Sequence, residues 1–140
     1  ISQELKLVFP VHPRTKGRLE AFGLLKKMQA APGIIQQPPL GYLEFLAMTS
    51  QAKVIVTDSG GLQEESTALG IPCLTMRENT ERPITVDVGT STLIGNDAGK
   101  LRECLGQVMH GRYRQGRCPE LWDGKAAERI AAVIVDRTAG

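Results

Sequence analysis

Residues 54–83, VIVTDSGGLQEESTALGIPCLTMRENTERP, constrain this chain more than any other stretch, because they set two strand patterns on either side of a helical one. Lys53 to Thr57 is alternating and β-branched, the signature of a buried strand, and Asp58-Ser59-Gly60-Gly61 interrupts it. Leu62 to Leu69 has helical spacing. Ser59 or Asp58 is placed to cap that helix, and Gly70 is suited to end it. Ile71-Pro72 then leads into a second strand, Cys73 to Met76, which delivers the polar loop Arg77 to Pro83. A helix mouth lined by small residues favours an anion: its N–H groups are unpaired, the helix dipole is positive there, and glycine lets another molecule come close. In an open α/β sheet, ligands sit beyond the carboxyl ends of the strands, where both loops fall.

The flanking segments extend the same alternation. Leu5 to Val11 reads as a first strand ended by His12-Pro13, with Pro10 tolerated near its end. Thr15 is placed to cap a helix over Lys16 to Ala30, with Leu19, Phe22, Leu25 and Met28 on its inner face. Ile34 to Gln37 forms a short strand before Pro38-Pro39, and Leu40 to Ser50 a short helix. Beyond the central stretch, Val86 to Gly89 suggests a helical turn and Ser91 to Gly95 a strand. Asn96-Asp97 caps a helix over Ala98 to His110, with Leu101, Leu105 and Val108 inward. A basic, turn-like segment over Gly111 to Pro119 precedes a closing helix over Lys125 to Arg137. Its Ile130, Val133 and Ile134 are expected to pack back on the sheet. Strands alternating with helices through short loops predict an α/β fold, a doubly wound parallel sheet of about five strands.

Composition narrows the function. A chain of 140 residues fits one domain with a single core, and 41% hydrophobic and 23% charged residues are ordinary for a globular protein. The net charge of +2 is dispersed, which argues against a nucleic-acid face. No apolar run approaches the ~18 residues of a membrane span. Cys73, Cys104 and Cys118 have no metal-ligand spacing and read as reduced thiols of a cytoplasmic protein, with Cys73 in a core strand. Ile1-Ser2-Gln3-Glu4 lacks an initiator Met and runs straight into an apolar strand, so the chain is expected to be a piece of a longer one.

DSGG at 58–61 followed by ENTERP at 78–83 resembles the signature of the non-hydrolysing UDP-N-acetylglucosamine 2-epimerases. FPVHPRT, PPLGYLEFL, VGTSTLIG and DGKAAERI fit the same family in order and interval. The resemblance covers nearly the whole chain but only that family's C-terminal half. It implies a Rossmann-like, UDP-binding domain over residues 1–140, one half of the two-domain GT-B type fold shared with many nucleotide-sugar glycosyltransferases. The N-terminal domain of the full enzyme would be absent. No metal and no nicotinamide or other cofactor is implied.

By resemblance, Ser59, Gly60 and Gly61 hold the diphosphate of UDP. On local sequence alone, the alternative is a tight strand-to-helix turn that binds nothing. Glu65 resembles the family's ribose-binding carboxylate, with Glu64 as the competing assignment. Neighbours on a helix are turned by about 100°, so only one of the two faces the ligand. Arg82 in ENTERP matches a substrate contact of the family, and a planar guanidinium suits phosphate or sugar oxygens. Its bland alternative is a surface ion pair with Glu78 or Glu81. His12 is placed near the phosphates by resemblance, with a contribution to catalysis, and Phe45 near the uracil. On pattern alone a lone His is structural and Phe45 is a core residue of its helix. Leu40 stands where some members present Gln to the base, and Trp122-Asp123-Gly124 replaces a more usual Tyr/Phe-Gly-Asp-Gly run.

The family inverts C2 of UDP-N-acetylglucosamine through elimination of UDP to a 2-acetamidoglucal and re-addition, a reaction that feeds cell-wall polysaccharide synthesis. Its acid and base groups come mainly from the N-terminal half, so this chain is expected to be inactive alone. Its implied partners are UDP or UDP-N-acetylglucosamine and the missing N-terminal domain, and a homodimer is one arrangement open to the full-length enzyme. The rival readings are the donor-binding half of a glycosyltransferase, against which ENTERP argues, a hydrolysing bifunctional relative, and a non-catalytic UDP-sugar binding module.

Overall fold

A computed structural model describes residues 1–2 and 4–138, which divide into two compact units, Ile1–Met48 and Thr49–Gly140. The first unit contains β1 (Leu7–Pro10), α1 (Pro13–Ala21), α2 (Leu25–Gln29), β2 (Ile34–Gln37) and most of α3 (Tyr42–Thr49). The second contains β3 (Ile55–Thr57), α4 (Gly60–Leu69), β4 (Cys73–Thr75), α5 (Pro83–Asp87), β5 (Ser91–Leu93), α6 (Ala98–Met109) and α7 (Ala126–Thr138). The fold is α/β. The five strands pair as β1-β2 in the first unit and β3-β4-β5 in the second, and every pairing is parallel.

In the first unit β1 and β2 run in register from Leu7 beside Ile34 to Pro10 beside Gln37. The helix expected over Lys16 to Ala30 is two helices. Gly23 adopts a left-handed φ of +66°, which ends the first helix and shifts the phase of the second. Leu19, Leu25 and Met28 are partly buried, but Phe22 falls at the break and is exposed. The cap of α1 is His12 rather than Thr15. Its Nδ1 accepts a hydrogen bond from Arg14 N–H at 3.3 Å, and Pro13 occupies the first helical position, where the missing N–H costs nothing.

In the second unit β4 is central and buried on both faces. Leu74 packs with Ile94, Cys104 and Leu105, flanked by Val54, Leu101 and Tyr113. The neighbouring Cys73 points the other way, into a cluster with Ile55 and Ile71 flanked by Ala52 and Leu62. Helices α4 and α6 supply these two covers, as a doubly wound arrangement requires. Gly70 takes the left-handed φ of +71° that ends α4. The Tyr113 hydroxyl, on the segment after α6, donates toward the Thr90 carbonyl at 3.0 Å and lies 2.7 Å from Thr92 Oγ1, tying that segment to the start of β5.

The closing helix departs from expectation. Ile130, Val133 and Ile134 of α7 do not pack on the sheet and remain 59%, 52% and 56% exposed. What anchors α7 is polar. Arg129 holds both Asp123 carboxylate oxygens at 3.0 and 2.9 Å and donates to the Leu121 carbonyl at 2.8 Å.

Asp97 caps α6 by accepting from Gly99 N–H at 2.7 Å and Lys100 N–H at 3.1 Å. The bond from Lys100, and then that from Gly99, holds its carboxyl below the ordinary value of 3.8. A depressed folded-state value means the carboxylate stabilises the fold above that ordinary value and loses the contribution as pH falls through the lowered one. Asp97→Asn retains a capping oxygen without the charge. Urea unfolding across acid pH should therefore show wild type more stable near neutrality, with the gap to Asp97→Asn closing as the carboxylate protonates. A constant gap at all pH values would contradict the assignment.

Candidate functional site

The candidate residues of the second unit collect at the carboxyl ends of β3 and β4. Thr57 ends β3, and its hydroxyl accepts from Ser59 N–H at 3.0 Å, bending the chain away from the strand. Ser59 is then extended, with φ −79° and ψ 129°, and caps α4; its Oγ accepts from Leu62 N–H at the long distance of 3.5 Å. Asp58 is exposed and does not cap. The helix starts at Gly60, so the two glycines expected in the turn form the first helical turn instead.

That placement gives the glycines a defined environment. No hydrogen bond to Gly60 N–H or Gly61 N–H is formed among the described residues, as befits the first turn of a helix. Neither residue has a positive φ. A Cβ at Gly60 would meet nothing within 4 Å, and one at Gly61 only Ser59 Oγ at 4.0 Å. The fold itself therefore does not demand glycine here. What glycine provides is an uncovered pair of amides at the positive end of a ten-residue helix.

The second loop is drawn to this helix by Arg82, the residue before α5. Its Nε lies 3.0 Å from Glu64 Oε1, with both side chains 41% exposed. The N–H is not aligned for a hydrogen bond, so this is a charge contact without one. The expected alternative partners were Glu78 and Glu81. Glu81 offers only its carbonyl, 3.4 Å from Arg82 Nη1, and the Glu78 carboxylate sits against Gly95. An exposed pair of this kind contributes about 0–1 kcal/mol and is screened by salt. Its significance is orientation rather than stability.

The same contact bears on the two competing carboxylates. Glu64 is the partner of Arg82, whereas Glu65 is partly buried and forms no ion pair among the described residues. Two further candidates lie in the first unit. His12 is exposed at the start of α1, where its Nδ1 accepts from Arg14 N–H at 3.3 Å. Phe45 is partly buried on α3, with its N–H donating to the Gly41 carbonyl at 2.9 Å.

Sequence reasoning missed three residues here. Gln63, Thr80 and Thr85 form hydrogen bonds beneath the two loops, and Gln63 and Thr85 are fully buried. One signal was available: Gln63, Ser66 and Thr67 recur at helical spacing on the inner face of α4, where apolar residues are usual.

Two surface depressions of the second unit, of about 400 and 650 Å³, include Lys53 and Tyr113 in one and Arg102 and His110 in the other. None of the candidate residues lines either. Among the described residues no cluster of His, Cys, Asp and Glu is arranged to hold a metal, and no helix is long and apolar enough to cross a membrane. The geometry at Ser59–Gly61 and Arg82 is suited to holding an anion by fixed N–H dipoles and one guanidinium.

The family model described as UDP-N-acetylglucosamine 2-epimerase matches residues 1–135. A UDP-N-acetylglucosamine 2-epimerase of Methanococcus maripaludis is 46% identical over 94% of this chain and 35% of its own length. That of Methanocaldococcus jannaschii is 43% identical over 91% of this chain and 34% of its own. The crystal structure of the M. jannaschii epimerase in complex with UDP-GlcNAc and UDP superimposes with a TM-score of 0.79 at 40% identity, covering 92% of this chain and 35% of that one. The present chain thus spans about a third of the length of the relatives it matches.

Proposed function

This chain belongs to the UDP-N-acetylglucosamine 2-epimerase family, and from that premise we propose that it is the UDP-binding C-terminal domain of such an epimerase. The observation that carries the reading is the mouth of α4. A serine cap stands there with two glycine amides that have no partner among the described residues, and Arg82 is drawn to the same helix through Glu64. In this reading the Gly60 and Gly61 amides and the Ser59 hydroxyl hold the diphosphate, Glu65 accepts from the ribose hydroxyls, and Arg82 contacts a phosphate or sugar oxygen. The roles of His12, near the phosphates and contributing to catalysis, and of Phe45, at the uracil, rest on the family resemblance alone.

Elimination of UDP from the sugar builds negative charge on the β-phosphate oxygen. Donors fixed before the reaction stabilise that charge without reorganising, which is how a helix mouth and a guanidinium assist departure. Inversion at C2 also needs a base within hydrogen-bonding reach and an acid on the opposite face. Of the carboxylates on α4 beside the proposed diphosphate site, Glu64 is engaged by Arg82 and Glu65 is given to the ribose in this reading, and Glu78 and Glu81 on the second loop lie on one side of the sugar at most. The acid and base are therefore assigned to the part of the relatives that this chain does not cover.

The test is titration of the 140-residue chain with UDP, followed by amide chemical shifts. Binding is expected near ~1 mM, about 4 kcal/mol, with Ser59, Gly60, Gly61 and Glu65 moving. Gly60→Ala should leave the fold intact, since its Cβ enters open space, yet weaken UDP binding. Incubation with UDP-N-acetylglucosamine in deuterated water should give no exchange at C2. Unmoved amides at millimolar UDP would reject the binding site, and clear exchange would reject the assignment of the acid and base.

A further inference from the structure

Gln63 is a polar side chain with no exposed surface, and it stands at the centre of a hydrogen-bond relay. Its Nε2 donates to the Ser59 carbonyl at 3.4 Å. Its Oε1 accepts from the Thr80 hydroxyl at 2.8 Å, and Thr80 Oγ1 accepts in turn from Arg82 N–H at 3.0 Å. The Thr85 hydroxyl has a single proton. It donates to the Arg82 carbonyl at 2.7 Å in preference to Gln63 Oε1 at 3.4 Å, so the Arg82 backbone is gripped on both its N–H and its C=O. An unbroken path of side chains thus joins the backbone of the serine that caps α4 to the backbone of the arginine on the opposite loop.

Gln63 is fully buried, and a buried amide is tolerated only while its bonds are made. The relay has one geometric consequence. Ser59 lies in the turn between β3 and α4 and Arg82 in the loop between β4 and α5, so each backbone is tied to its own strand and helix. The Gln63 side chain bridges the two.

We propose that Gln63 and Thr80 are positioning residues of the anion site, holding the Ser59 turn and the Arg82 backbone in one register so that both reach the same diphosphate. Neither needs to touch the ligand. Their effect is preorganisation: donors already held in place do not have to be ordered when the anion arrives. This inference rests on the reading of the site as one for UDP.

The experiment compares UDP with uridine, which lacks the phosphates, on the 140-residue chain. Thr80→Val keeps the shape of the side chain and removes the hydroxyl from the relay. Thr80 is only partly buried, so this variant should fold, and urea unfolding measures the folded fraction directly. UDP affinity should fall about tenfold, with uridine binding unchanged. Thr80→Ser, which restores the hydroxyl, should recover most of the loss. Gln63→Leu should match Thr80→Val, and the double variant should lose little more, because both cut one path. Undiminished UDP affinity in Thr80→Val, or equal losses for UDP and uridine, would overturn the proposal and leave the relay a purely structural feature. A wild-type chain that does not bind UDP defeats the reading of the site, and this inference with it, before any variant is made.

Discussion

Arg82→Lys should weaken UDP binding by about one to two orders of magnitude, the loss of a charge-assisted hydrogen bond worth roughly 1.5–3 kcal/mol, while leaving stability nearly unchanged. The arginine has nitrogens enough for two tasks. Its Nε faces Glu64 at 3.0 Å, and its only other side-chain contact among the described residues is a 3.4 Å approach of Nη1 to the Glu81 carbonyl. The terminal nitrogens therefore have capacity for a phosphate while the guanidinium remains oriented. A lysine carries one compact ammonium, which either pairs with Glu64 or reaches the ligand. The backbone N–H that donates to Thr80 is retained in the variant, so the relay beneath the site survives. Because an exposed ion pair contributes about 0–1 kcal/mol, urea unfolding should separate this change from a folding defect. Wild-type affinity in Arg82→Lys would mean the guanidinium has no ligand contact and serves only as a surface partner of Glu64.

The largest effect on stability is expected at Leu74. It has no exposed surface, lies on the central strand of the three-stranded sheet and packs against Ile94, Cys104 and Leu105. Leu74→Ala removes three carbons and leaves a cavity that neighbours on two secondary-structure layers cannot close, which costs about 2–5 kcal/mol. Set against a typical total of roughly 5–15 kcal/mol, that loss leaves a marginal fold. Urea unfolding of the two chains measures it. Cys73→Ala, at the equally buried neighbouring position on the other face, removes only a sulfur and should cost much less. A loss under about 1 kcal/mol for Leu74→Ala would show that the β4–α6 layer is loosely packed and that the site loops are not braced by it.

Much of this was legible in the chain itself. The strand at Ile34–Gln37, the sequence of strand, helix and strand from Ile55 to Thr75, and the helix end at Gly70 follow from local rules, whereas Ser59 over Asp58 and Asp97 over Asn96 as caps are choices the structure made. Side-chain periodicity and the few unpaired groups at a helix end are decided by neighbours within a turn or two, so the sequence states them directly. The motif residues at 58–61 and 78–83, and through them the family, were equally readable.

Tertiary structure decided what depends on distant pairs. No local rule could choose Glu64 over Glu78 or Glu81 for Arg82, because the choice is set by where the β4 loop meets α4. The Gln63–Thr80 bond spans 17 positions and the Gln63–Thr85 contact 22, so the burial of this glutamine at the centre of a relay is set by residues far away in sequence. The helix expected as one piece breaks at Gly23, where a residue without a Cβ adopts a backbone angle that the flanking periodicity conceals. Likewise Ile130, Val133 and Ile134 form a legible apolar stripe, but a stripe records only that a face is apolar. Which surface meets it is a property of the partner's position in space, and the linear order of residues does not carry that.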